Sequence, residues 1–175
     1  IAKQACRGVT GIYHLAARPS VPWSIEFPVE AHHANHETTL ALIEAGVEAG
    51  AKRIVFSSSS AIYGDGPELP KTEDLSPAPK SPYAEHKLAG EIALREAHQT
   101  GRIEAVSLRY FNVFGPRQDP SSPYSGIISL YSKWAREGHQ PTIFGDGKQT
   151  RDFVYVADVA RANMLAMHVP CAAPG

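Results

Sequence analysis

Tyr83 and Lys87 are the residues best suited to acid–base chemistry in this sequence, because a phenol and an ammonium stand four positions apart just after Ser81 and Pro82. A proline at this point predicts the first turn of a helix, and the four-residue spacing places both side chains on one face of it. A positive charge beside a phenol lowers its pKa, which is about 10 in water, so that the phenol can act as a base closer to neutral pH. The spacing alone is more typical of a solvated helix face.

Hydroxyl side chains form a second candidate group, since the four serines at 57–60 directly follow an apolar run that ends at Phe56. Doubly wound folds bind ligands at the carboxyl ends of their parallel strands. A lone run of serines is more typical of a turn. Serines at a strand end that are followed by Tyr83 and Lys87 indicate a catalytic site instead.

The elements that must position these side chains follow from hydrophobic periodicity. Residues 11–17 and 53–57 are typical of buried parallel strands, and a helical period between 33 and 49 ends before Gly50. Strand, helix and strand in this order predict a βαβ unit of a parallel sheet. The alternation continues with helices expected at 83–99, 126–136 and 158–167, the last with Asp158 as its N-cap, and with strands expected at 104–110 and 141–144.

Composition argues against several classes of protein. A chain of 175 residues that is 43% hydrophobic can bury the core of one domain. Its net charge of −1 argues against nucleic acid or a membrane surface as the main partner. No apolar run approaches the ~20 residues that span a bilayer. Cys6 and Cys171 lack metal-ligand spacing and predict a reduced, cytoplasmic protein.

Histidines raise the question of a metal ion, because His32 and His36 have helical i,i+4 spacing. The third ligand and the carboxylate that complete such zinc patterns do not follow in the sequence. We therefore expect no metal site, and we interpret these two histidines and His33 as a solvated helix start.

Five segments, in order along nearly the whole chain, resemble successive motifs of the extended short-chain dehydrogenase/reductase family and its NAD-dependent epimerase/dehydratase enzymes. They are His14-Leu-Ala-Ala17, Phe56-Ser-Ser-Ser-Ser-Ala-Ile-Tyr-Gly64, Ser81-Pro-Tyr-Ala-Glu-His-Lys87, Leu108-Arg-Tyr-Phe-Asn-Val-Phe-Gly-Pro116 and Phe144-Gly-Asp-Gly-Lys-Gln-Thr-Arg-Asp-Phe153. The resemblance implies a Rossmann-type doubly wound parallel sheet.

The resemblance also implies roles for individual residues. Tyr83 would take the proton of a sugar hydroxyl, Ser59 would share a hydrogen bond with that oxygen, and Lys87 would hold the nicotinamide ribose. Contacts with NAD are implied for Ala16, Ala17, Asn35, Ser57, Tyr83, Lys87 and Tyr110. Contacts with the substrate are implied for Ser20, Ser59, Asn112 and Arg151. A guanidinium suits a diphosphate, although a surface ion pair with Asp152 is the alternative interpretation of Arg151.

The residues directly after the catalytic serine indicate the reaction class. Dehydratases that resemble this family carry Asp-Glu after it, and decarboxylases carry a glutamate two positions on, whereas Ser59 is followed by Ser60 and Ala61. This favours simple oxidation and re-reduction, and the segment 109–126 resembles 4-epimerases of UDP-hexoses and UDP-N-acetylhexosamines. We expect C4 inversion through a 4-keto sugar. A uronate epimerase, a reductase, a dehydratase or an inactive truncated fragment remain as alternatives.

The family's Gly-rich phosphate loop has no counterpart in this sequence, and we expect its carboxyl-terminal substrate segment to be missing as well. We therefore expect an incomplete fold, with residues 1–115 as a partial NAD-binding domain and residues 116–175 as the start of the substrate-binding region, interleaved with the last Rossmann elements. The chain by itself is expected to bind NAD weakly. For the full-length protein the resemblance implies a homodimer through the helices near 29–49 and 83–99. Which sugar is bound, and whether NAD or NADP, stay open.

Overall fold

The computed structural model describes residues 1–122, 126–143 and 145–170, and the chain divides into two compact units. Unit 1 comprises Ile1–Arg109 and the chain from Ala162 onward, and unit 2 comprises Tyr110–Arg161. The functional boundary predicted after residue 115 stays a prediction. Within the described ranges no helix is long and apolar enough to cross a bilayer.

Unit 1 is built on a three-stranded sheet in which β2 lies between β1 and β3. The strands are β1 (Gly11–His14), β2 (Arg53–Ser59) and β3 (Glu104–Tyr110). β1 and β2 run parallel, with His14 opposite Phe56, so their carboxyl ends lie at the same edge of the sheet. The parallel βαβ arrangement expected from the sequence is therefore confirmed.

One short helix precedes β1, and further helices fill the connections between these strands. They are α1 (Ala2–Ala5), α2 (Val21–Glu26), α3 (Pro28–Ala31), a π-helical segment (His32–Glu37), α4 (Thr38–Glu48) and α5 (Pro82–Gln99), with a 3-10 turn (Ser60–Tyr63) directly after β2. The helical period predicted at 33–49 thus corresponds to the π-helical segment and α4. The sequence does not predict the short helices α1, α2 and α3.

Helix α5 carries the candidate catalytic residues and begins as its sequence predicts. The Ser81 side chain accepts a hydrogen bond from the Ala84 N–H at 3.2 Å, and Pro82 occupies the first turn, where its missing N–H costs nothing. One face of the helix packs towards the sheet and includes Tyr83, Ala84, Lys87, Gly90, Glu91, Leu94 and Ala97.

The core that holds α4 and α5 against the sheet is made of aliphatic and aromatic side chains. Ile43 of α4, Ile54 and Phe56 of β2, and Leu94 of α5 belong to one buried cluster. Each such side chain contributes roughly 1.5–3 kcal/mol when it is removed from water. This packing places the carboxyl end of β2 directly beneath α5.

Arg53, at the start of β2, joins the end of helix α7 (Val156–His168) to the sheet. Its guanidinium donates hydrogen bonds to the carbonyl oxygens of Ala166 and Met167 at 2.9 and 3.1 Å and to that of Val169. It also forms an ion pair with Glu104. The last carbonyls of a helix have no partner within the helix, so one side chain of the sheet satisfies several of them.

Unit 2 contains a second, two-stranded parallel sheet. β4 (Asn112–Phe114) pairs with β5 (Phe153–Tyr155), with Asn112 opposite Phe153. Helix α6 (Ile127–Glu137) ends at Gly138, which adopts the left-handed conformation with a φ of 70°.

Two sequence expectations in this region are wrong. The strand expected at 141–144 does not form at 141–143, and Phe144 lies outside the described residues. Pro141 has no N–H to give to a ladder, and β4 pairs instead with β5. Asp158 is not an N-cap, because α7 already begins at Val156, directly after β5. Asp158 lies inside the first turn, where its charge favours the helix dipole.

Candidate active site

Ser59 and Tyr83 meet at the carboxyl end of β2. Ser59 is the last residue of the strand, and Tyr83 lies in the first turn of α5 with only 8% of its surface exposed. The Ser59 oxygen accepts a hydrogen bond from the Ala61 N–H at 3.2 Å. Its own hydroxyl hydrogen is therefore available for the hydrogen bond that joins Ser59 to the phenol of Tyr83.

Lys87 lies one turn further along α5 and is 4% exposed. Its ammonium donates to the Ser57 carbonyl oxygen at 2.7 Å and lies 4.7 Å from the ring centre of Phe56 and 5.9 Å from that of Tyr83. Burial lowers the pKa of Lys87 to about 8. The side chain is thus still mostly protonated at neutral pH, so a positive charge lies beside the phenol as the sequence predicted.

The pKa of Tyr83 itself moves in the direction opposite to the sequence expectation. Burial raises it above 10, and the hydrogen bond from Ser59 opposes that rise. These groups of the chain therefore hold the phenol in its neutral form. A further positive charge at the site would have to lower this pKa before Tyr83 could act as a base at neutral pH.

Three buried or nearly buried polar groups that sequence reasoning missed lie beneath the candidate catalytic residues. The Ser58 hydroxyl donates to the Glu91 carboxylate at 2.5 Å, and both residues are 4% exposed. Arg109 of β3 binds the same carboxylate through two nitrogens, with a shortest distance of 2.7 Å. A signal for Glu91 was present, because it continues the four-residue spacing of Tyr83 and Lys87 on the buried face of α5.

Ser57 offers a test of whether the site fits the cofactor that the sequence resemblance implies. Its hydroxyl oxygen is buried and has no hydrogen-bond partner among the described residues. A buried hydroxyl of this kind is costly unless a ligand completes its hydrogen bonds. It lies beside Lys87 at the edge where β1 and β2 end, so these residues fit a polar ligand such as a ribose hydroxyl.

The other predicted cofactor residues are distributed along both units. Ala16 and Ala17 follow the end of β1, and both are at least partly exposed. Asn35 is 4% exposed and is bonded twice to the backbone of Arg18, through its oxygen at 2.7 Å and its nitrogen at 3.1 Å. It therefore fixes the loop after β1. Tyr110 is half-buried and begins unit 2.

Ser20 caps the short helix α2, since its side chain accepts the Trp23 N–H at 3.1 Å. Within that helix Ser24 is fully buried, and its hydroxyl oxygen accepts the backbone N–H of Tyr83 at 3.2 Å. α2 therefore fixes the start of α5. The predicted contact of Ser20 with a sugar stays a prediction.

His14, the first residue of the quoted His-Leu-Ala-Ala segment, is buried at the end of β1. Its Nε2 lies 2.8 Å from the Thr39 hydroxyl, and its ring lies 5.2 Å from that of Phe56. Burial, and secondarily the charge of Lys87, lower its pKa to about 4. The imidazole is therefore neutral at physiological pH.

Asn112 and Arg151, the two predicted contacts with a diphosphate–sugar, line one cleft of unit 2 with a volume of about 460 Å³. Its walls also include Phe114, Gln118, Tyr131, Ile143, Gln149 and Phe153. The side-chain amide of Asn112 donates to the Asp152 carbonyl at 2.8 Å, and Arg151 is exposed. In the described part of the chain Arg151 donates to the Thr150 carbonyl and forms no ion pair with Asp152.

The histidines form a ring cluster rather than a solvated helix start alone. His32 and His36 have ring centres 4.8 Å apart, and His86 of α5 lies 5.3 Å from His32. His33 pairs with Glu37 at 2.7 Å. Among the described residues no group of three or more histidine, cysteine or acidic side chains is arranged to hold a metal ion.

Comparison with known proteins gives consistent matches. The family described as "NAD dependent epimerase/dehydratase family" matches residues 2–174. The chain is 39% identical to the UDP-glucose 4-epimerase of Mycolicibacterium smegmatis over 156 residues, which are 89% of this chain and 50% of that protein. The chain spans about half the length of the curated relatives it matches.

Two solved structures are similar over nearly the whole chain. The UDP-N-acetylglucosamine 4-epimerase from Methanobrevibacter ruminantium M1, in complex with UDP-N-acetylmuramic acid, matches with a TM-score of 0.90 and 41% identity, over 94% of this chain and 53% of that one. The UDP-glucose 4-epimerase of Thermus thermophilus, in complex with NAD, matches with a TM-score of 0.87 and 39% identity, over 95% and 56%. These matches confirm the Rossmann-type fold predicted from the sequence.

Proposed function

Because this chain belongs to the NAD dependent epimerase/dehydratase family, we propose that it is part of an NAD-dependent epimerase that inverts C4 of a UDP-hexose or a UDP-N-acetylhexosamine. The observation that carries the proposal is the meeting of Ser59, Tyr83 and Lys87 at the carboxyl end of β2. The serine is followed by Ser60 and Ala61. Neither side chain can supply the additional acid or base that elimination of water requires.

The chemistry of the residues supports this assignment. Tyr83 takes the proton of the 4-hydroxyl, and Ser59 donates a hydrogen bond to the same oxygen as negative charge develops there. Lys87 keeps a positive charge near the phenol and stays available to a ribose hydroxyl. NAD held at this site would supply the exchange of a hydride with C4, by way of a 4-keto sugar, and its oxidised form would add a positive charge near Tyr83.

Residues that would hold the cofactor lie at the edge where β1 and β2 end. The unpartnered Ser57 hydroxyl and the Lys87 ammonium suit ribose hydroxyls. Ala16 and Ala17 have small side chains, which let a ring lie close to the backbone. Asn35 supports the loop that carries them through its bonds to Arg18. Tyr110 is proposed as a further contact on the resemblance of its segment alone.

The cleft of unit 2 is the proposed site for the UDP portion. The guanidinium of Arg151 is exposed in the cleft wall and can bind a diphosphate through two parallel hydrogen bonds. The amide of Asn112 supplies donors and an acceptor that suit a hydroxyl or phosphate oxygen. Phe114 and Tyr131 give the same cleft aromatic surface against which a base can pack.

A homodimer is proposed for the full-length protein. Val29 of α3, Leu40 of α4 and Ile92 of α5 are exposed by 63%, 37% and 45%, although all three are large apolar residues. Exposed apolar side chains on these helices would be removed from water if a second copy packed against them. Sedimentation of the full-length protein tests this, and a monomer at micromolar concentration would contradict it. The cytoplasmic location stays a prediction from cysteine usage.

The enzymatic proposal is tested on the protein encoded by the complete reading frame. UDP-glucose and UDP-N-acetylglucosamine are incubated separately, and formation of the 4-epimer is followed by chromatography together with transient absorbance of NADH. Tyr83→Phe is expected to lower kcat by about 100- to 10,000-fold, which is the usual contribution of a general base. Tyr13→Phe is the matched control, because the hydroxyl it removes belongs to an exposed residue of β1. Absence of any 4-epimer, or full activity of Tyr83→Phe, would refute the proposal.

A further inference from the structure

Three successive turns of α5 are bonded to three successive residues of β2. Tyr83 is bonded to the Ser59 side chain, Lys87 to the Ser57 carbonyl and Glu91 to the Ser58 hydroxyl. Residues four apart on a helix rise by about 6 Å and share one face, so the three contacts, which we call the ladder, lie along one face of α5 although their order differs from that of the strand residues. Each contact is one rung of the ladder. The rungs of Tyr83 and Lys87 belong to the proposed catalytic site, whereas the third rung, between Glu91 and Ser58, has no role in that chemistry.

The third rung lies on the inner side of the strand. Side chains alternate along a strand, so Ser58 points away from the face on which Ser57 and Ser59 lie. Its exposure of 4% agrees with this, whereas Ser57 and Ser59 are partly exposed. Ser58 therefore faces inward, where its hydroxyl meets the buried Glu91 carboxylate.

Burial of the Glu91 carboxylate costs free energy, so the groups that compensate for this cost indicate what the residue does. It is 4% exposed, and burial of an unpaired charge costs several kcal/mol. Arg109 offsets this cost by donating its Nε to one carboxylate oxygen at 3.0 Å and its Nη2 to the other at 2.7 Å. The guanidinium also lies 4.9 Å from the ring centre of Tyr63, in the turn that follows Ser59. Glu91 and Arg109 thus link α5, β3 and the 3-10 turn Ser60–Tyr63, which we call the serine turn.

We propose that Glu91, held in place by Arg109, is a positioning residue whose bond to Ser58 sets the register of α5 against β2 and so keeps Tyr83 on Ser59 and Lys87 on Ser57. A slip of α5 by a fraction of an ångström would lengthen both catalytic contacts together, because they share the helix. Reaction rates are sensitive to displacements of this size. The kinetic part of this inference rests on the proposed epimerase function.

The test uses Ser58→Ala in the full-length protein, because this change breaks the rung and alters no charge. It is expected to lower kcat about tenfold and to leave KM for the UDP-sugar within about twofold, since the ladder holds the reacting groups and none of its residues is among those that line the cleft of unit 2. Glu91→Gln is expected to lower kcat at least as much. Glu48→Gln is the control, because it breaks an exposed ion pair with Lys3 of 2.7 Å and should leave kcat unchanged.

A second readout does not depend on activity. The pKa of Lys87, lowered to about 8 by burial, is followed by NMR in protein labelled on its lysines, with Lys87→Arg used to assign the signal. In Ser58→Ala the loosened helix admits water to the ammonium, and the pKa is expected to rise towards the ordinary value of about 10.4. In Glu48→Gln it should not move.

The outcomes separate positioning from mere stability. A lower melting temperature with unchanged kcat and an unchanged Lys87 titration, in both Ser58→Ala and Glu91→Gln, would overturn the inference and leave the ion pair as a stabilising contact. If the parent protein makes no 4-epimer, the proposed function fails. The Lys87 titration then decides the positioning role alone, with a rise in Ser58→Ala supporting it and no change refuting it.

Discussion

Replacement of Gly64 by alanine tests how tightly the serine turn is held against the following loop. Gly64 ends the 3-10 turn after Ser59 with a φ of 63° and a ψ of −151°, a conformation that side chains other than glycine rarely adopt. A Cβ added there would lie 2.1 Å from the Ala78 carbonyl oxygen. Ala78 cannot easily retreat, because its N–H donates to the Ile62 carbonyl at 2.9 Å.

The expected cost follows from these contacts. The backbone conformation costs roughly 1–3 kcal/mol in alanine, and relief of the overlap with the Ala78 carbonyl costs roughly another 1–3 kcal/mol. Loss of the Ile62–Ala78 hydrogen bond adds about 1 kcal/mol. Alanine also restricts the unfolded chain and recovers about 0.4–1 kcal/mol. We expect Gly64→Ala to lower the free energy of unfolding by about 4 kcal/mol.

Gly50→Ala is the matched control for this substitution. Gly50 also has a positive φ, of 75°, but no described heavy atom lies within 4 Å of an added Cβ. A positive φ costs alanine roughly 1–2 kcal/mol, and the effect on the unfolded chain recovers part of this, so about 1 kcal/mol is expected. The difference between the two variants therefore reports the rarer backbone conformation of Gly64 together with its close approach to Ala78.

Urea unfolding of the full-length protein, followed by tyrosine and tryptophan fluorescence, measures both variants. With a slope of about 2 kcal/mol/M, the midpoint should fall by about 2 M for Gly64→Ala and by about 0.5 M for Gly50→Ala. Equal shifts for the two variants would refute the reasoning, because they would mean that the loop yields to the added methyl group at no cost.

Three further predictions concern charges at the site. Burial lowers the pKa of Lys87 to about 8, so the unfolded state binds more protons between pH 8 and about 10.4, and the stability due to this group rises with pH across that window. Lys87→Met should therefore abolish turnover but raise the melting temperature at pH 7, and its difference from the parent should shrink as pH rises. A lower melting temperature of Lys87→Met at pH 7 would contradict this. The pKa of His14 is lowered to about 4, so its contribution to stability is complete above about pH 6.5 and is lost as the pH falls towards 4, by up to about 3 kcal/mol. The urea midpoint of His14→Gln should therefore depend less on pH in this range than that of the parent protein, and equal pH dependence of the two midpoints would count against this. Arg151→Lys keeps the charge but removes the planar pair of donors, so calorimetry should show a Kd for UDP about tenfold higher, whereas the exposed control Arg136→Lys on α6 should bind as the parent does.

Local signals predicted most of the elements that carry the candidate site. The apolar runs of β1 and β2 and the Ser81-Pro82 start of α5 are properties of neighbouring residues, and each was read correctly from them. The strand expected at 141–144 failed because strands need partners, and β4 pairs with β5 instead. The short helices α2 and α3 escaped notice because they extend over too few residues for a helical period to show.

The residues of the candidate site also fall into those that a local motif predicts and those that only the packing of distant segments brings together. Ser59, Tyr83 and Lys87 were found because their motifs are short. The contact of Glu91 with Arg109 joins a helix to a strand 18 positions away, and no spacing rule connects them. The raised pKa of Tyr83 arises from burial by several elements packed together, so a lysine four positions away predicted the wrong direction. Effects that depend on how elements pack are not contained in any one segment.

The contacts of Arg53 have a consequence for the order in which the protein is made. Arg53 and the carbonyl oxygen of Ala166 are 113 positions apart in the chain. At a synthesis rate of roughly 5–20 residues per second, the ribosome needs roughly 6–23 seconds to translate the segment between them. During that interval the guanidinium at the start of β2 has no helix end to bind, and all of unit 2 must leave the ribosome first. The strands of unit 1 are therefore made early in translation, whereas the end of α7 can pack onto the start of β2 only late, after residues 110–161 have been synthesised.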